Sequence, residues 1–573
     1  MSADFCIGSV CFVPLDANTP KLFGFSEFLA GLALMVLAWT IADVRYRFRV
    51  RTAPLPLEGL TFAVVAAVGI LTLLTDLWRA EQWLVPQGNI LTPASWQTVL
   101  GGVFFLTFLT WAWFAFVRPS VYGKWNAKRY ATTLYRVILK GASSELVVIA
   151  DELSRSAKAL VHYTSDEGAF REFRNGEADN GPHRSPTEVS RFANDILLLI
   201  ADKRFCRAIV ESSPGTALAV FREIGETKKY GVQVGTFANN IVNEALVNKD
   251  SFLFHEAEGY DSGLIGYHKP LSQAMFSNHR MAEAIGTLLD PRRMEEAKWD
   301  ATQWEAYCRV VLMTFRDYVE NGFGNQSPVL HRAMGNIERA AADLYKLDGI
   351  ESGAWTDDAI ARLRIVVAFI KNAVEVLEKK GVHDHLRLRG REGHGDVRSI
   401  YDNLASMIAE VIFSASAVRS PVRLCWYVQH NAVWGELFNF DSLGGPAGKV
   451  IKFKVRRLLY NEIVEMRRFP NFKGAKILSF CLNVMGLAVQ DERHFRDSKA
   501  LQRAMLSWTT KNYAWLWSFN SRVAEACLVD GMTYDAEHRR LVTSYPAEGL
   551  RREPHYDYLN LDPPFPGEEK SKE

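Results

Sequence analysis

Two short segments of the chain concentrate residue types that bind metals or transfer protons. The first covers residues 251–270, where His255, Glu256, Asp261 and His268 stand among aromatic residues and glycines. Imidazole and carboxylate groups suit zinc or iron and also act as general acids and bases. Their spacing matches no zinc signature such as His-Glu-x-x-His. The segment therefore predicts either a ligand-binding surface or an irregular loop whose aromatic side chains pack on helices.

The second segment combines arginines with glycines. Arg387, Arg389, Arg391 and His394 lie in the polar stretch at residues 383–396. Glycine lets backbone amides face a phosphate, and arginine pairs with phosphate through parallel hydrogen bonds. This composition suits a site for a nucleotide or lipid headgroup, although it is more often that of a flexible charged connector between helices.

A third run, Gly444–Lys449, shares only its composition with a phosphate-binding loop. Its glycine spacing is one residue short, no Ser or Thr follows Lys449 to hold magnesium, and no buried strand is predicted before it. Nucleotide hydrolysis is therefore not expected there. One sequence cannot single out a catalytic triad among 13 His and 65 acidic residues. No metal site and no cofactor are assigned from it.

Three apolar runs near the N-terminus determine where these segments reside. They cover Leu22–Ala42, Gly59–Leu77 and Trp96–Val117. Each is close to the roughly 20 residues that cross about 30 Å of hydrocarbon as a helix. A helix also pairs its backbone amides internally, as hydrocarbon requires. We therefore predict an integral membrane protein with three transmembrane helices and the lipid bilayer as a partner.

Basic residues alternate between the loops that flank these runs. The N-terminal tail and the second loop hold one each, and the segment after the third run holds six. The first loop holds four: Arg45, Arg47, Arg49 and Arg51. Because basic loops stay on the cytoplasmic side, the N-terminus is expected outside and the C-terminus in the cytoplasm. We expect the protein to lie in the cell membrane, specifically in a bacterial inner membrane.

The second apolar run carries small residues on one face. Gly59, Ala63 and Ala67 repeat every four residues, a spacing that lets helices approach closely. The face predicts packing either within one chain or between copies in a homo-oligomer.

Cys6 and Cys11 lie five residues apart in the N-terminal tail. In an oxidising compartment they could form a small disulfide loop, and otherwise they are two free thiols. The sequence leaves both readings open.

Beyond the third run the chain shows helical periodicity almost throughout, with one candidate hairpin between Met532–Tyr534 and Leu541–Tyr545. We therefore predict a mainly α fold: three N-terminal transmembrane helices and a large helical cytoplasmic domain. The predicted parts are an extracytoplasmic tail, a membrane region, two helical parts and a disordered tail, at residues 1–21, 22–120, 121–390, 391–547 and 548–573.

The near balance of basic and acidic residues bears on which partners the protein could bind. The net charge is +2, from 67 basic and 65 acidic residues, so binding to nucleic acid is not expected. The leading hypothesis is a non-catalytic sensing, regulatory or scaffolding protein anchored in a membrane. The alternatives are an oligomeric pore, channel or effector subunit, and a metal- or phosphate-using membrane-bound enzyme.

Overall fold

A computed structural model of the chain is mainly helical, as predicted, with two small antiparallel sheets. The residues that it describes are 5–7, 10–15, 21–41, 43–86, 92–165, 187–256, 270–321, 326–351, 357–381, 399–439, 443–489, 498–545 and 553–563. They form two compact units, residues 1–241 and residues 242–573. The domain boundary predicted near residue 390 lies outside the described residues.

The first unit contains one sheet and a series of helices. These elements are β1 (Phe5–Ile7), β2 (Val10–Pro14), α1 (Phe25–Ile41), α2 (Val44–Arg51), α3 (Leu57–Ala80), β3 (Leu84–Pro86), α4 (Pro93–Ala112), α5 (Ala127–Lys140), α6 (Ser143–Ser154), α7 (Ala157–Tyr163), α8 (Glu188–Leu199), α9 (Lys203–Ser212), α10 (Pro214–Thr227) and α11 (Gly235–Val247), which reaches into the second unit. A π-helix at Trp113–Val117 continues α4.

The predicted apolar runs are helices. Among the described residues, α3 and the continuous helix Pro93–Val117 are long and apolar enough to cross a membrane, and a bent α1–α2 pair would make a third span. Alone, α1 has 17 residues, the lower end of the range of about 17–25 that a span needs. The arginine-rich stretch after α1, expected to be a loop, is instead the helix α2.

The three apolar helices share a core on one face of α3. Phe28, Val65, Val68 and Leu100 are buried together there. Gly69 belongs to this face: a Cβ on it would lie 2.7 Å from Cζ of Phe28. A larger residue at this position would therefore require the Phe28 ring to move.

Gly59, Ala63 and Ala67 lie on a different face of α3. All three are exposed in the chain, and a Cβ on Gly59 would meet no atom within 4 Å. Within the part of the chain that is described, this small-residue face is therefore not used for packing.

Polar contacts join the N-terminal end of α1 to the C-terminal end of α3. Asp76 on α3 accepts hydrogen bonds from the backbone amide of Phe25 and from Lys21 Nζ, both at 2.9 Å. The first bond satisfies a free backbone amide at the N-terminus of α1, and the second is an ion pair between side chains. Nearby, the β1–β2 register places Cys6 opposite Cys11, and β2 also pairs with β3.

The second unit is also built mainly of helices. Its elements are α12 (Phe252–His255), α13 (Pro270–Phe276), α14 (His279–Ile285), α15 (Arg293–Glu296), α16 (Ala301–Asn321), α17 (Pro328–Glu338), α18 (Asp358–Lys380), α19 (Ile400–Ala415), α20 (Val422–Trp426), α21 (Gly435–Phe438), α22 (Pro446–Glu465), α23 (Phe472–Met485), α24 (Lys499–Phe519), α25 (Ser521–Glu525), β4 (Met532–Asp535), β5 (Arg540–Tyr545) and β6 (His555–Asn560).

Long amphipathic helices form the core of this unit. On α18, Val366, Ile370, Ala373 and Leu377 are buried at three- and four-residue spacing, which is the pattern of a helix face turned to a core. This helix packs along α16, and α19 packs against α17, α22 and α23. The wall formed by α17 and α19 positions the cleft described below.

The predicted hairpin is confirmed, since β4 pairs antiparallel with β5. The tail expected to be disordered from Glu548 differs from the prediction at His555–Asn560, which pairs with β5 as β6. After β6, the backbone amide of Asp562 donates to the carbonyl oxygen of Thr510 on α24. These backbone hydrogen bonds order a segment whose composition alone indicated disorder.

Candidate functional site

The first predicted segment is partly described, and there its carboxylate has a structural role. Glu256 accepts hydrogen bonds from the backbone amides of Leu271 and Ser272, at 3.0 and 2.8 Å. It therefore caps the N-terminus of α13, where backbone amides lack helical partners. His255 is exposed at the end of α12. Asp261 and His268 lie outside the described residues.

The second predicted segment gives no geometry. Arg387, Arg389, Arg391 and His394 all lie outside the described residues. The proposed anion site at residues 383–396 therefore stays a prediction from the sequence.

The glycine-rich run before α22 holds a carboxylate of the chain itself. Glu378 on α18 accepts hydrogen bonds from the backbone amides of Ala447 and Gly448, at 3.2 and 2.8 Å. A Cβ on Gly448 would lie 2.2 Å from the carbonyl oxygen of Leu443. The glycines thus allow a close turn, and Glu378 takes the helix-end position that an anion would occupy.

The first unit contains a buried ion pair that joins α2 to the helical body. Arg49 donates to both carboxylate oxygens of Glu152 on α6, from Nε at 2.9 Å and from Nη2 at 2.6 Å. Its Nη1 donates to the carbonyl oxygen of Ala115 in the π-helix, at 3.0 Å. The two side chains are only 7% and 3% exposed.

A polar network surrounds this pair. We call α2 and the turn that leads to α3, residues 44–56, the elbow. Asn126 Nδ2 donates to the carbonyl oxygen of Thr52 at 2.6 Å, and Ser120 Oγ donates to that of Arg49 at 2.9 Å. Phe48 packs against Tyr130 on α5, with ring centroids 5.5 Å apart. The elbow is therefore fixed to both the apolar helices and the first helices of the body.

A cleft of about 590 Å³ opens in the second unit, within the size range of small-molecule sites. Its walls come from α17, α19 and the segment before α15. Buried Met334 and Met407 supply apolar lining. The polar and charged lining residues are Asp290, Arg293, His331, Arg332, Asn336, Glu338, Arg339, Asn403, Ser406 and Glu410.

One carboxyl group in this cleft stands apart from the others. Glu338 forms no hydrogen bond or ion pair through its side chain with the residues that the structure describes. Burial, together with the nearby negative charge of Glu410, raises its pKa to about 7. The group therefore changes charge close to neutral pH, whereas an ordinary glutamate titrates near pH 4.3.

Other charges in the cleft have partners. Glu410 pairs with Lys473 on α23 at 2.7 Å, and Arg332 pairs with Asp290 at 3.4 Å. Arg339 donates two hydrogen bonds to the buried carboxylate of Glu296, at 2.7 and 2.9 Å. The arginine charges on these walls are thus largely balanced by carboxylates of the chain.

Neither the elbow pair nor the cleft emerges from the sequence as a site. The alternating arginines of α2 indicated orientation, and nothing in their pattern distinguishes buried Arg49 from exposed Arg51. The cleft residues come from segments far apart in the chain. Among the described residues, no group of three or more His, Cys, Asp or Glu side chains could hold a metal ion.

Comparison with known proteins gives no functional information on these sites. No protein-family model, no curated protein and no solved structure matches the chain.

Proposed function

We propose that the protein is a membrane-anchored, non-catalytic sensing or regulatory protein. Its apolar helices cross a cell membrane, with the N-terminus outside, and its helical body lies in the cytoplasm. The body binds a ligand or partner, and the elbow couples the state of the body to the helices in the membrane.

The exposed surface of the apolar helices supports the membrane anchor. Leu34, Phe62 and Leu106 are 69%, 74% and 63% exposed, and exposure of many large apolar side chains favours a lipid environment. The arginines of α2 lie at the end of α1 where the positive-inside rule expects the cytoplasm.

The observation that carries the proposal is the Arg49–Glu152 ion pair. A simple anchor needs only a flexible linker between membrane helices and body. Here a buried bidentate pair, with a third hydrogen bond to Ala115, joins α2, α6 and the π-helix. Such a contact has few alternative geometries, since moving Arg49 away breaks three hydrogen bonds and leaves the buried Glu152 carboxylate only the longer contact with Arg45, at 3.5 Å. A tilt of the apolar helices is therefore passed to α6.

The test varies the thickness of the bilayer and measures hydrogen exchange in the helices of the cytoplasmic part. Full-length protein is placed in nanodiscs of dimyristoyl and of dierucoyl phosphatidylcholine, because bilayer thickness alters helix tilt. Hydrogen exchange is then compared between the two lipids. Coupling predicts different exchange of α5 and α6 amides in wild type and a smaller difference in Arg49→Met. The matched control is Arg51→Met, whose pair with Glu58 is exposed. Equal exchange of these amides in both lipids would contradict the coupling.

We further propose that copies of the chain associate through the face of Gly59, Ala63 and Ala67. All three residues are exposed in the single chain, and small residues at this spacing allow close contact between helices in lipid. A homo-oligomer is also what a pore of three-helix subunits would require. Conductance of the purified protein in planar bilayers would favour that alternative, and a silent bilayer would favour the sensing role.

A further inference from the structure

We propose that the cleft of the second unit binds a small organic cation that carries a primary ammonium group, with Glu338 as its counter-ion. The proposal deepens the sensing role by naming a ligand class, and it rests on that role for its biological purpose only. Binding itself is measured independently of any coupling to the membrane.

The balance of charges favours a cation over an anion. Arg332 and Arg339 already pair with Asp290 and Glu296. An anion would have to compete with carboxylates that the fold itself supplies. Arg293 also lines the cleft and is exposed to solvent.

The charges of Glu410, Arg339 and Lys473 all act on the Glu338 carboxyl group, but Arg339 forms its hydrogen bonds with Glu296 and Asn336. Glu338 and Glu410 lie close enough for the charge of one to raise the pKa of the other. Lys473 pairs with Glu410 at 2.7 Å, and Glu338 has no such partner among the described residues. A second ammonium group placed beside Glu338 would complete the pairing. A desolvated carboxyl group gains most from such a charge-assisted hydrogen bond.

The rest of the cleft suits an aliphatic ammonium compound. Buried Met334 and Met407 offer polarisable apolar surface for a methylene chain. Ser406 and Asn403 supply hydroxyl and amide groups for a second polar end. The volume of about 590 Å³ accepts a chain of several carbons.

Binding of a cation must be linked to the proton on Glu338. The titratable and charged groups that line the cleft with Glu338 are Asp290, Arg293, His331, Arg332, Arg339 and Glu410. Of the surrounding charges, those of Glu410, Arg339 and Lys473 act on its carboxyl group. Since the proton and the ammonium group compete for one carboxylate, the cation binds to the deprotonated form. Below the pKa of Glu338, the apparent affinity should fall about tenfold for each pH unit.

The experiment is isothermal titration of full-length protein in detergent with three probes of similar length: putrescine, butane-1,4-diol and succinate. At about pH 8 we expect putrescine alone to bind, with proton release that grows as the pH is lowered toward 7. Glu338→Gln should weaken putrescine binding at least tenfold. The matched control Glu375→Gln removes an exposed carboxylate of α18 and should leave the affinity unchanged.

The outcomes are distinct. Absence of putrescine binding by wild type, preference for succinate, or unaltered affinity in Glu338→Gln would overturn the proposal. The wild-type probe series and its pH profile decide the matter even if the variant fails to fold. Binding of putrescine without any effect of lipid thickness on α5 and α6 would contradict the proposed coupling alone.

Discussion

Arg49 and Glu152 lie 103 residues apart in the chain and are joined by two hydrogen bonds of 2.9 and 2.6 Å in a site from which water is largely excluded. The pair connects the helix after the first apolar run to the second helix of the body. The pair consists of one cation and one anion, so replacing either side chain alone should destabilise the protein.

Removing one partner of this pair should be strongly destabilising. Arg49→Met removes both hydrogen bonds to the buried Glu152 carboxylate and leaves it only Arg45, whose Nε lies 3.5 Å from Oε1. The loss should therefore lie at the low end of the roughly 3–5 kcal/mol that breaking a buried pair costs. The double variant Arg49→Met, Glu152→Met should recover most of this loss, because two apolar side chains can fill the same site. Arg51→Met, in an exposed pair, should cost less than about 1 kcal/mol. Pulse proteolysis in detergent measures all four proteins. A loss of the same size for Arg49 and Arg51 would contradict the buried role.

Gly448 and Gly225 should respond differently to substitution by alanine, because only Gly448 lies in a close turn. Gly448→Ala places a Cβ 2.2 Å from the backbone oxygen of Leu443, and the strain should cost about 1–3 kcal/mol. Gly225→Ala on α10 meets no atom within 4 Å and should stabilise the helix by up to about 1 kcal/mol. Thermal unfolding of the two variants compares them. A stabilised Gly448→Ala variant would show that the turn is not constrained as described.

Substitutions at the two glycines of α3 should have different effects, one on association between copies and the other on stability. Gly59→Leu adds a side chain to the exposed face and should weaken association between copies while leaving thermal stability unchanged. Gly69→Leu enlarges the residue that contacts the Phe28 ring and should lower stability by at least about 1–3 kcal/mol. Cross-linking in nanodiscs reports association, and thermal unfolding reports stability. Undiminished cross-linking of Gly59→Leu would exclude this face as the interface.

The raised pKa of Glu338 predicts a pH dependence of stability. The folded-state pKa of about 7 lies above the unfolded value of about 4.3, so the folded state holds more protons between these values. The contribution of Glu338 is therefore fully present below about pH 4 and is lost as the pH rises through 7. Because the group is partly exposed, we expect a loss on the order of 1–2 kcal/mol.

The difference between wild type and Glu338→Gln isolates this contribution from other carboxylates. Asp317 and Asp402 have lowered pKa values, since their hydrogen bonds with His279 and with Lys454 outweigh the effect of burial. Their stabilisation is lost in acid, which is the opposite trend. Denaturant unfolding of both proteins from about pH 5 to about pH 8 measures the difference. Equal pH profiles for wild type and variant would contradict the raised pKa.

Helix and hairpin patterns were readable from the sequence because they are local. The apolar runs are long enough to stand out against any soluble helix, and Met532–Tyr534 opposite Leu541–Tyr545 shows a clear strand pattern. The segment of β6 was not recognised because its order comes from pairing with β5, a contact that composition does not encode. The alternating residues of α2 likewise gave no sign of a helix.

The site residues were harder to predict, since their roles depend on distant partners. Glu256 was singled out as a metal or acid/base candidate, yet its carboxylate caps α13. Glu338 is not distinctive in the sequence, because an isolated glutamate at the end of a helix is common. Its special character arises from Glu410 on another helix and from burial in a cleft, and neither is visible in one sequence.

The placement of the body relative to the membrane underlies the whole account and can be measured directly. In a background with Cys6 and Cys11 replaced by serine, the other five cysteines are buried. Single Glu81→Cys and Lys124→Cys variants then carry one exposed thiol each, beyond the C-terminal end of α3 and after the π-helix. A membrane-impermeant maleimide applied to intact bacterial spheroplasts should label the first variant, and should label the second only after lysis. Labelling of Lys124→Cys in intact cells, or recovery of either protein in the soluble fraction without detergent, would contradict the proposed anchor and its orientation.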